Sequence, residues 1–251
     1  MAGRLISKQL RRMRHDWDRR ARENARHYVL TGQQSWSDDE FYQAGEVTMQ
    51  EDILNDLDNI CQGKDPKEMS VLEIGCGAGR VTRAFANFFG SVYAVDISRE
   101  MVAQARRAVG SFPHAHVFRN NGKDLSVVGY HWWNRFGIGR APQLDFAFSM
   151  MVFQHIPSRE IIESYVREVH RLLRPGGLFK FQVQGSPDVH LRPEDTWVGA
   201  SFNEDAARRM AVRCGFEMRH QSGAGDQYYW LWFFKLPPAG QKQSGGQLYL
   251  S

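Results

Sequence analysis

Three glycines at alternate positions, Gly75, Gly77 and Gly79, follow a short apolar run that ends at Ile74. Glycine has no Cβ atom, so a turn of this kind allows a ligand to lie directly against the backbone. Helical apolar periodicity begins at Arg80, so the turn joins the end of a buried strand to the N-terminus of a helix. Such junctions often bind ligands in α/β proteins, and we therefore interpret this turn as a binding site.

Two acidic residues accompany this turn. Glu73 lies two residues before the first glycine. Asp96 ends the next apolar run, Ser91–Val95, about twenty residues beyond the glycines. An acid at that distance can accept hydrogen bonds from ribose hydroxyl groups. The two runs, the turn and Asp96 therefore predict a nucleoside site on a βαβ unit.

The spacing of the glycines distinguishes between nucleoside cofactors. A dinucleotide site has the pattern Gly-x-Gly-x-x-Gly, whose third glycine would fall on Arg80. The pattern here is Gly-x-Gly-x-Gly, and with Glu73 and Asp96 it resembles motif I of the class I S-adenosylmethionine (SAM)-dependent methyltransferases. SAM has no pyrophosphate, so it does not require a long phosphate-binding turn. The alternative is an ordinary α/β turn without a ligand.

The resemblance implies roles for the residues at the strand ends. Glu73 would bind the ammonium group of the methionine moiety, and Asp96 would bind the ribose. Asn121 and Gly122 would meet the adenine, although Asn-Gly is also a common turn. The cofactor-binding residues implied in this way are Glu73, Gly75, Cys76, Gly77, Gly79, Asp96, Ile97, Met101, Asn121, Gly122 and Ser149. The product formed from SAM would be S-adenosylhomocysteine (SAH).

Apolar runs alternate with amphipathic segments along the chain, which predicts an α/β fold. The predicted strands are residues 71–74, 91–95, 116–119, 144–149, 178–183, 216–221 and 227–235. The last two are separated by Ser-Gly-Ala-Gly-Asp, which indicates a hairpin. The resemblance implies a three-layer, Rossmann-like sandwich. Its seven-stranded sheet would be mostly parallel, with an antiparallel C-terminal strand beside the fifth.

The regions outside the core are also predicted. Residues 1–67 would form an N-terminal helical cover, 68–237 the SAM-binding core, and 238–251 a mobile tail rich in Gly, Gln and Ser. Residues 125–143 form an insertion that is either a lid over the site or a self-packed surface segment.

The N-terminal segment has a helical pattern and a basic charge. Residues 5–29 have apolar residues at spacings of three or four, which predicts a long amphipathic helix. A second helix is predicted over 48–60, after an irregular segment at 31–43. The first thirty residues carry nine Lys or Arg and three acidic residues, so this helix either packs on its own domain or binds nucleic acid.

Two histidines are candidates for a general base. His155 follows the fourth strand, at the edge where a methyl acceptor should lie, and His131 belongs to the insertion. A purely structural role, such as a hydrogen bond to the backbone, is the alternative for His155. Aromatic residues predicted to contact the acceptor are Tyr28, Trp36, Trp132, Trp133 and Trp197.

Several protein classes are disfavoured by composition. No apolar run is long enough to cross a bilayer, and no apolar segment near the start resembles a signal peptide. Cys61, Cys76 and Cys214 form neither a disulfide framework nor a zinc pattern. We therefore expect a cytoplasmic protein without a metal site, and either a monomer or a homodimer.

The predicted function is SAM-dependent methyl transfer to an oxygen or nitrogen atom of a small, aromatic or apolar acceptor. One alternative is an RNA or protein methyltransferase that uses the basic helix, and another is a SAM-binding module without catalysis. Base-methylating enzymes often have Asn/Asp-Pro-Pro-aromatic after the fourth strand. The residues here are Ser149, Met150, Met151 and Val152, which disfavours that class.

Overall fold

The computed structural model describes residues 2–129, 142–187 and 196–237. Seven strands in these ranges form one sheet, with the order β3-β2-β1-β4-β5-β7-β6. Strands β1 to β5 are parallel, and β7 is antiparallel to both β5 and β6. The strands are β1 (Ser70–Ile74), β2 (Ser91–Asp96), β3 (Ala115–Arg119), β4 (Leu144–Ser149), β5 (Leu173–Val183), β6 (Phe216–Ser222) and β7 (Tyr229–Lys235).

Helices cover both faces of this sheet. They are α1 (Ala2–Val29), α2 (Asp38–Thr48), α3 (Leu57–Cys61), α4 (Arg80–Phe88), α5 (Arg99–Ala108), α6 (Ser126–Gly129), α7 (Arg159–Leu172) and α8 (Glu204–Arg213). Alternate residues of β1 belong to two apolar clusters, since strand side chains point to opposite faces. Leu72 packs in the cluster that includes α7 and α8, whereas Val71 packs with α3 and α4. The predicted three-layer, Rossmann-like fold is thus confirmed, including the antiparallel strand beside the fifth.

The N-terminal helix agrees with the prediction in its extent, but it is kinked at Asn24, whose φ and ψ of −167° and 85° are not helical. The region after α1 differs from the prediction. Helix α2 begins at Asp38, inside the segment predicted to be irregular. A capping box explains this start, because Ser37 accepts from Glu40 N and the Glu40 side chain accepts from Ser37 N. The single helix predicted over 48–60 is also wrong. A π-helical turn (Met49–Ile53) and a 3₁₀ turn (Leu54–Asp56) precede the short α3.

The fifth strand begins earlier than predicted, at Leu173 instead of Leu178. Leu173 pairs with Leu144 of β4, and the register then shifts before Phe146 pairs with Leu178. Residues 174–177, Arg-Pro-Gly-Gly, are therefore an extended part of β5 with an irregular register. In the ranges described, no helix has the length and apolar character that crossing a membrane requires.

Candidate functional site

A pocket lies at the carboxyl ends of β1, β2 and β4. The sheet grows from β1 towards β2 and β3 on one side and towards β4 on the other. Ligands of open α/β sheets bind at such a switch point because the connections diverge there. The residues that line the pocket from β1, β2 and the turns after them include Glu73, Ile74, Gly75, Cys76, Gly77, Val95, Asp96 and Ile97.

The glycine turn after β1 is closely packed by side chains. Gly75 and Gly77 have positive φ angles of 75° and 52°. A Cβ atom at Gly75 would lie 2.2 Å from the Val152 side chain, and one at Gly77 would lie 2.6 Å from Val29. Both positions therefore require glycine, and the backbone at this turn stays uncovered by side chains of its own.

Asp96 ends β2 with each carboxylate oxygen bonded to a backbone N–H group. Oδ2 accepts from Gly77 N at 3.0 Å, and Oδ1 accepts from Ser98 N at 2.8 Å. Burial raises the pKa of Asp96 to about 6, although these hydrogen bonds oppose the rise. An ionised carboxylate has about four acceptor positions, so about two are left for hydroxyl groups of a ligand.

Glu73 lies near the end of β1 and is also buried. Its Oε2 accepts a hydrogen bond from Thr82 Oγ1 at 2.5 Å. Burial raises the pKa of Glu73 to about 7, while the Thr82 hydroxyl and the charge of Arg80 lower it. A cationic ligand group beside Glu73 would favour its ionised form, because charges interact strongly in a buried site.

Three buried polar atoms around the pocket have no hydrogen-bond partner among the described residues: Arg80 Nε, Asn120 Oδ1 and Gln154 Oε1. All three residues line the pocket. An unpaired buried polar group costs roughly 1–3 kcal/mol, so such atoms indicate polar groups on a bound ligand. For Asn120, Nδ2 donates to Tyr165 Oη at 2.7 Å, which leaves Oδ1 for the ligand.

Aromatic residues of α1 and of the segment after residue 196 form a further wall. Trp17, Tyr28 and Trp197 line the pocket. The Trp197 ring centroid lies 6.3 Å from that of Trp17 and 6.0 Å from that of Tyr28. Arg20 joins the two segments, since its Nη1 donates to Thr196 O at 3.1 Å and its guanidinium lies over both tryptophans. This wall suits planar, apolar groups.

His155 lies against this wall, with ring centroids 5.3 Å from Trp17 and 4.9 Å from Trp197. Its Nδ1 is hydrogen-bonded to the Trp197 carbonyl oxygen. A carbonyl oxygen only accepts, so the proton of the neutral imidazole is on Nδ1 and the lone pair is on Nε2. Gln154 Nε2 lies 3.4 Å from that lone pair, so both ring nitrogens of His155 have partners within the protein.

The sequence and fold of this chain are similar to those of known methyltransferases. Residues 71–177 match the family model of a methyltransferase domain. Over 111 residues the chain is 28% identical to malonyl-[acyl-carrier protein] O-methyltransferase of Enterobacter lignolyticus (strain SCF1). That match covers 44% of this chain and 37% of the relative, so the similarity spans little more than a third of the relative's length.

Two solved structures have a similar fold over most of their length. One is magnesium protoporphyrin IX methyltransferase of Synechocystis PCC 6803 with bound SAH, at 17% identity and a TM-score of 0.59. The alignment covers 88% of this chain and 97% of that one. The other is the DhpI–SAH complex, at 16% identity and a TM-score of 0.58, covering 91% and 97%.

Residues 71–177 therefore match a methyltransferase domain, and the chain has the fold of methyltransferases that bind SAM or SAH. The structure places most of the residues expected to bind its cofactor around one pocket. Those that line it are Glu73, Gly75, Cys76, Gly77, Asp96, Ile97 and Met101. Burial raises the pKa of the Cys76 thiol, in agreement with a packing role for this cysteine. Among the residues described, no group of three or more His, Cys, Asp or Glu could hold a metal ion.

Asn121 and Gly122 do not line the pocket of the methyltransferase domain. Asn121 Oδ1 accepts from Lys123 N and Asp124 N at 2.7 and 2.9 Å, and its Nδ2 donates to Asp124 Oδ2. Its side chain is thus used in the turn, and Asn120 presents the amide instead. Gly122 has a φ of 81°, and a Cβ there would lie 2.5 Å from Ile97. Gly122 is therefore required for the backbone conformation of this turn.

Gly79, Ser149 and Trp36 also lie outside the lining of the pocket. A Cβ at Gly79 would lie 2.9 Å from Ala105 Cα, so this glycine allows α4 and α5 to pack closely. Ser149 Oγ donates to the Ile74 carbonyl at 3.0 Å and links the ends of β4 and β1. Trp36 Nε1 donates to Leu30 O at 2.9 Å, which directs this ring to the loop after α1.

Of the remaining predicted residues, Tyr28, Trp197 and His155 line the pocket. His131, Trp132 and Trp133 lie outside the described residues, as does the 238–251 tail.

The pocket residues that sequence reasoning did not assign to the site include Trp17, Arg80, Asn120 and Gln154. Trp17 was recognised only as part of the apolar stripe of the first helix. Asn120 directly follows β3, and the pattern of a strand does not specify which of two successive amides faces a site. Gln154 could have been assigned to the site because it directly precedes His155, which was already a candidate.

Proposed function

We propose that this chain transfers the methyl group of SAM to an oxygen or nitrogen atom of a small, aromatic or apolar acceptor. The observation that carries the proposal is one pocket that extends from the buried acids of β1 and β2 to the aromatic wall of Trp17, Tyr28 and Trp197. The names of the relatives support it, because one is a magnesium protoporphyrin IX methyltransferase and another an O-methyltransferase. A cytoplasmic location is part of the same proposal.

The polar groups of the pocket match those of SAM in kind. Asp96 would accept hydrogen bonds from the ribose hydroxyls, and Glu73 would pair with the methionine ammonium group. Asn120 Oδ1 would accept from the adenine amine, and Arg80 Nε would donate to the methionine carboxylate. This assignment gives a partner to two of the three orphaned buried atoms.

The residues of the chain would then align the acceptor and exclude water. SAM supplies an activated methyl group on a sulfonium when it is bound. Residues 1–67 act as a cover in this proposal, with Trp17 and Tyr28 holding a planar acceptor beside the methyl group. Such alignment can contribute roughly 7–11 kcal/mol to lowering the barrier. For a hydroxyl acceptor, His155 Nε2 would exchange its 3.4 Å contact with Gln154 Nε2 for the acceptor hydroxyl and would take its proton, while the methyl group passes from the sulfonium sulfur to the acceptor oxygen.

The test is an acceptor screen with methyl-deuterated SAM and a panel of phenols, amines and carboxylic acids, read by mass spectrometry. We expect one class to gain the labelled methyl group. SAM binding without any product across the panel would favour a module without catalysis.

His155→Ala tests the proposed base. We expect turnover of hydroxyl acceptors to fall by about 10²–10⁴-fold, because general base catalysis typically contributes this much. The affinity for SAH should be unchanged, since His155 is not among the residues assigned to SAM. Turnover equal to that of the wild type would remove His155 from the mechanism.

The basic face of α1 gives limited support to an RNA substrate. Arg12, Arg19 and Arg22 form ion pairs with Asp16, Glu23 and Glu100, at 3.6, 3.1 and 3.7 Å. These pairs reduce the free positive charge that phosphate groups would meet. Salt-dependent retention on RNA, together with labelled RNA product, would favour that alternative.

A further inference from the structure

Tyr228 is a pocket residue that the proposed function leaves without a role. It directly precedes β7 and lines the pocket together with its neighbour Gln227. Tyr228 is 42% exposed, and Trp197, which belongs to the aromatic wall of the same pocket, is 39% exposed. Large apolar side chains that stay exposed together at one pocket indicate a binding surface. Tyr228 therefore extends the aromatic lining of the pocket towards solvent.

The topology of the sheet explains why a residue next to β7 reaches this site. Strand β7 is antiparallel to β5, and its first residue, Tyr229, pairs with Val183, the last residue of β5. The start of β7 therefore lies at the carboxyl ends of the parallel strands, where the pocket is. Tyr229 is fully buried, and Gly185 N donates to Asp226 O at 3.0 Å. These contacts hold the turn that carries Tyr228.

The order of the strands places Tyr228 away from the residues assigned to the cofactor. Glu73, Asp96 and Asn120 lie at or just after the ends of β1, β2 and β3. Strand β7 is on the other side of β1, beyond β4 and β5. Neighbouring strands are about 4.8 Å apart, so the start of β7 lies about 14 Å from the end of β1 along the sheet. Tyr228 therefore belongs to the acceptor side of the pocket.

We propose that Tyr228 binds the far end of the acceptor and thereby determines acceptor length. This inference rests on the proposed function. One end of the acceptor lies beside the methyl group, at Trp17 and Tyr28, and the other end packs on the Tyr228 ring. An acceptor that reaches both places is longer than one six-membered ring. The chemical class is an extended aromatic molecule with a second ring opposite the methylated atom.

The experiment compares phenol with 4-phenylphenol, which carries a second ring opposite its hydroxyl group. Each is titrated by calorimetry into protein that is saturated with SAH. We expect the wild type to bind 4-phenylphenol on the order of a hundredfold more tightly, because the second ring buries additional apolar surface. Tyr228→Ala should weaken the binding of 4-phenylphenol by about tenfold, the typical contribution of one aromatic contact. It should leave the affinity for phenol unchanged, since phenol does not reach residue 228.

Two further variants control this comparison. Tyr228→Phe keeps the ring and should bind both phenols as the wild type does. Val212→Ala is the surface control, since Val212 is exposed on α8 and does not line the pocket. All variants should bind SAH as the wild type does, which also reports that they fold.

The outcomes separate this inference from the proposed function. Unchanged affinities in Tyr228→Ala, or an equal loss of affinity for both phenols, would overturn the role of Tyr228 in acceptor length. A wild type that binds 4-phenylphenol no more tightly than phenol, or that binds neither while SAH binds normally, would overturn the extended aromatic class. Failure of SAH itself to bind would instead contradict the proposed function.

Discussion

At the scale of single residues, the site depends on two buried acids with pKa values far above those of exposed carboxyl groups. Burial raises the pKa of Glu73 to about 7 and that of Asp96 to about 6. Ionising such groups without a partner opposes folding, and groups of this kind are concentrated at functional sites. The positive charge and the hydroxyl groups of SAM would offset this cost on binding.

Glu73→Gln should stabilise the ligand-free protein at alkaline pH. The pKa of Glu73 rises from 4.5 to about 7 on folding, so the folded protein keeps a proton in this pH window that the unfolded chain loses. Its stability therefore falls as pH rises through the window and is lowest above pH 7. Glutamine removes this titration and keeps an oxygen for the Thr82 hydroxyl.

We expect Glu73→Gln to raise the free energy of unfolding at pH 8 by on the order of 1–3 kcal/mol, and by much less at pH 5. Urea unfolding at both pH values measures the effect. The variant should also bind SAH more weakly. A variant that is less stable than the wild type at pH 8 would show that Glu73 already has a sufficient partner in the protein.

The glycines and the two acids could be predicted because each lies at the end of a recognisable strand or just after it. The amide that faces the pocket could not, because Asn120 and Asn121 follow the same strand and only the turn decides between them. Both polar atoms of the Asn121 side chain are hydrogen-bonded to Lys123 and Asp124 within the turn. Trp36 was assigned to the site as an aromatic residue in the segment before the first core strand, and its bond to Leu30 O directs it elsewhere.

At the scale of secondary structure, α1 is held over the pocket by polar contacts as well as by its apolar stripe. Asp18 Oδ1 accepts from Ser98 Oγ at 2.6 Å and from Glu100 N at 3.4 Å. This places a carboxylate at the N-terminus of α5, where the helix dipole favours it. Ser98 N in turn donates to Asp96, so one short network links α1 to the acid proposed to bind ribose.

Asp18→Asn should loosen α1 without unfolding the core. It removes the charge at the N-terminus of α5, so we expect a loss of about 0.5–2 kcal/mol of stability. Trypsin should cleave faster at Arg12, Arg19 and Arg22 of α1, and SAH should bind more weakly. Asp39→Asn, at an exposed position of α2, is the control. Unchanged proteolysis of α1 in Asp18→Asn would mean that the apolar stripe alone holds the cover.

The extent of α1 was predictable because its apolar stripe continues over many turns. The start of α2 could also have been predicted from the sequence, since Ser37 and Glu40 have the spacing of a capping box. The π-helical turn that follows was not, because Met49–Ile53 keeps a helical apolar pattern while its hydrogen bonds differ. This segment also contacts α4, which is distant from it in the sequence.

At the scale of the whole molecule, one edge of the sheet forms the pocket and the opposite edge contributes to stability. The carboxyl ends of the strands surround the pocket, whereas the amino ends are joined by a buried carboxylate. Asp145 accepts from Lys64 Nζ at 3.0 Å, Arg174 Nε at 2.8 Å and Ser70 N at 2.9 Å. This cluster connects β1, β4 and β5 away from the site.

Asp145→Asn should therefore lower stability and leave ligand binding unchanged. Its side chain is only 3% exposed, so the loss of its charge weakens two ion pairs whose carboxylate is buried, although Lys64 and Arg174 are partly exposed. We expect the free energy of unfolding to fall by about 1–3 kcal/mol. Glu204→Gln, which breaks an exposed pair with Arg208, should leave it nearly unchanged. A weaker affinity for SAH in folded Asp145→Asn would contradict this division of tasks.

The most direct test of the central claim is calorimetric titration of the purified chain with SAH, repeated on Asp96→Ala. We expect micromolar binding by the wild type. The substitution should weaken it by roughly a hundredfold, because hydrogen bonds to a charged group contribute about 1.5–3 kcal/mol each. Asp39→Ala serves as the surface control and should bind like the wild type. Absence of SAH binding by the folded wild type would contradict the account, and so would an unchanged affinity in Asp96→Ala.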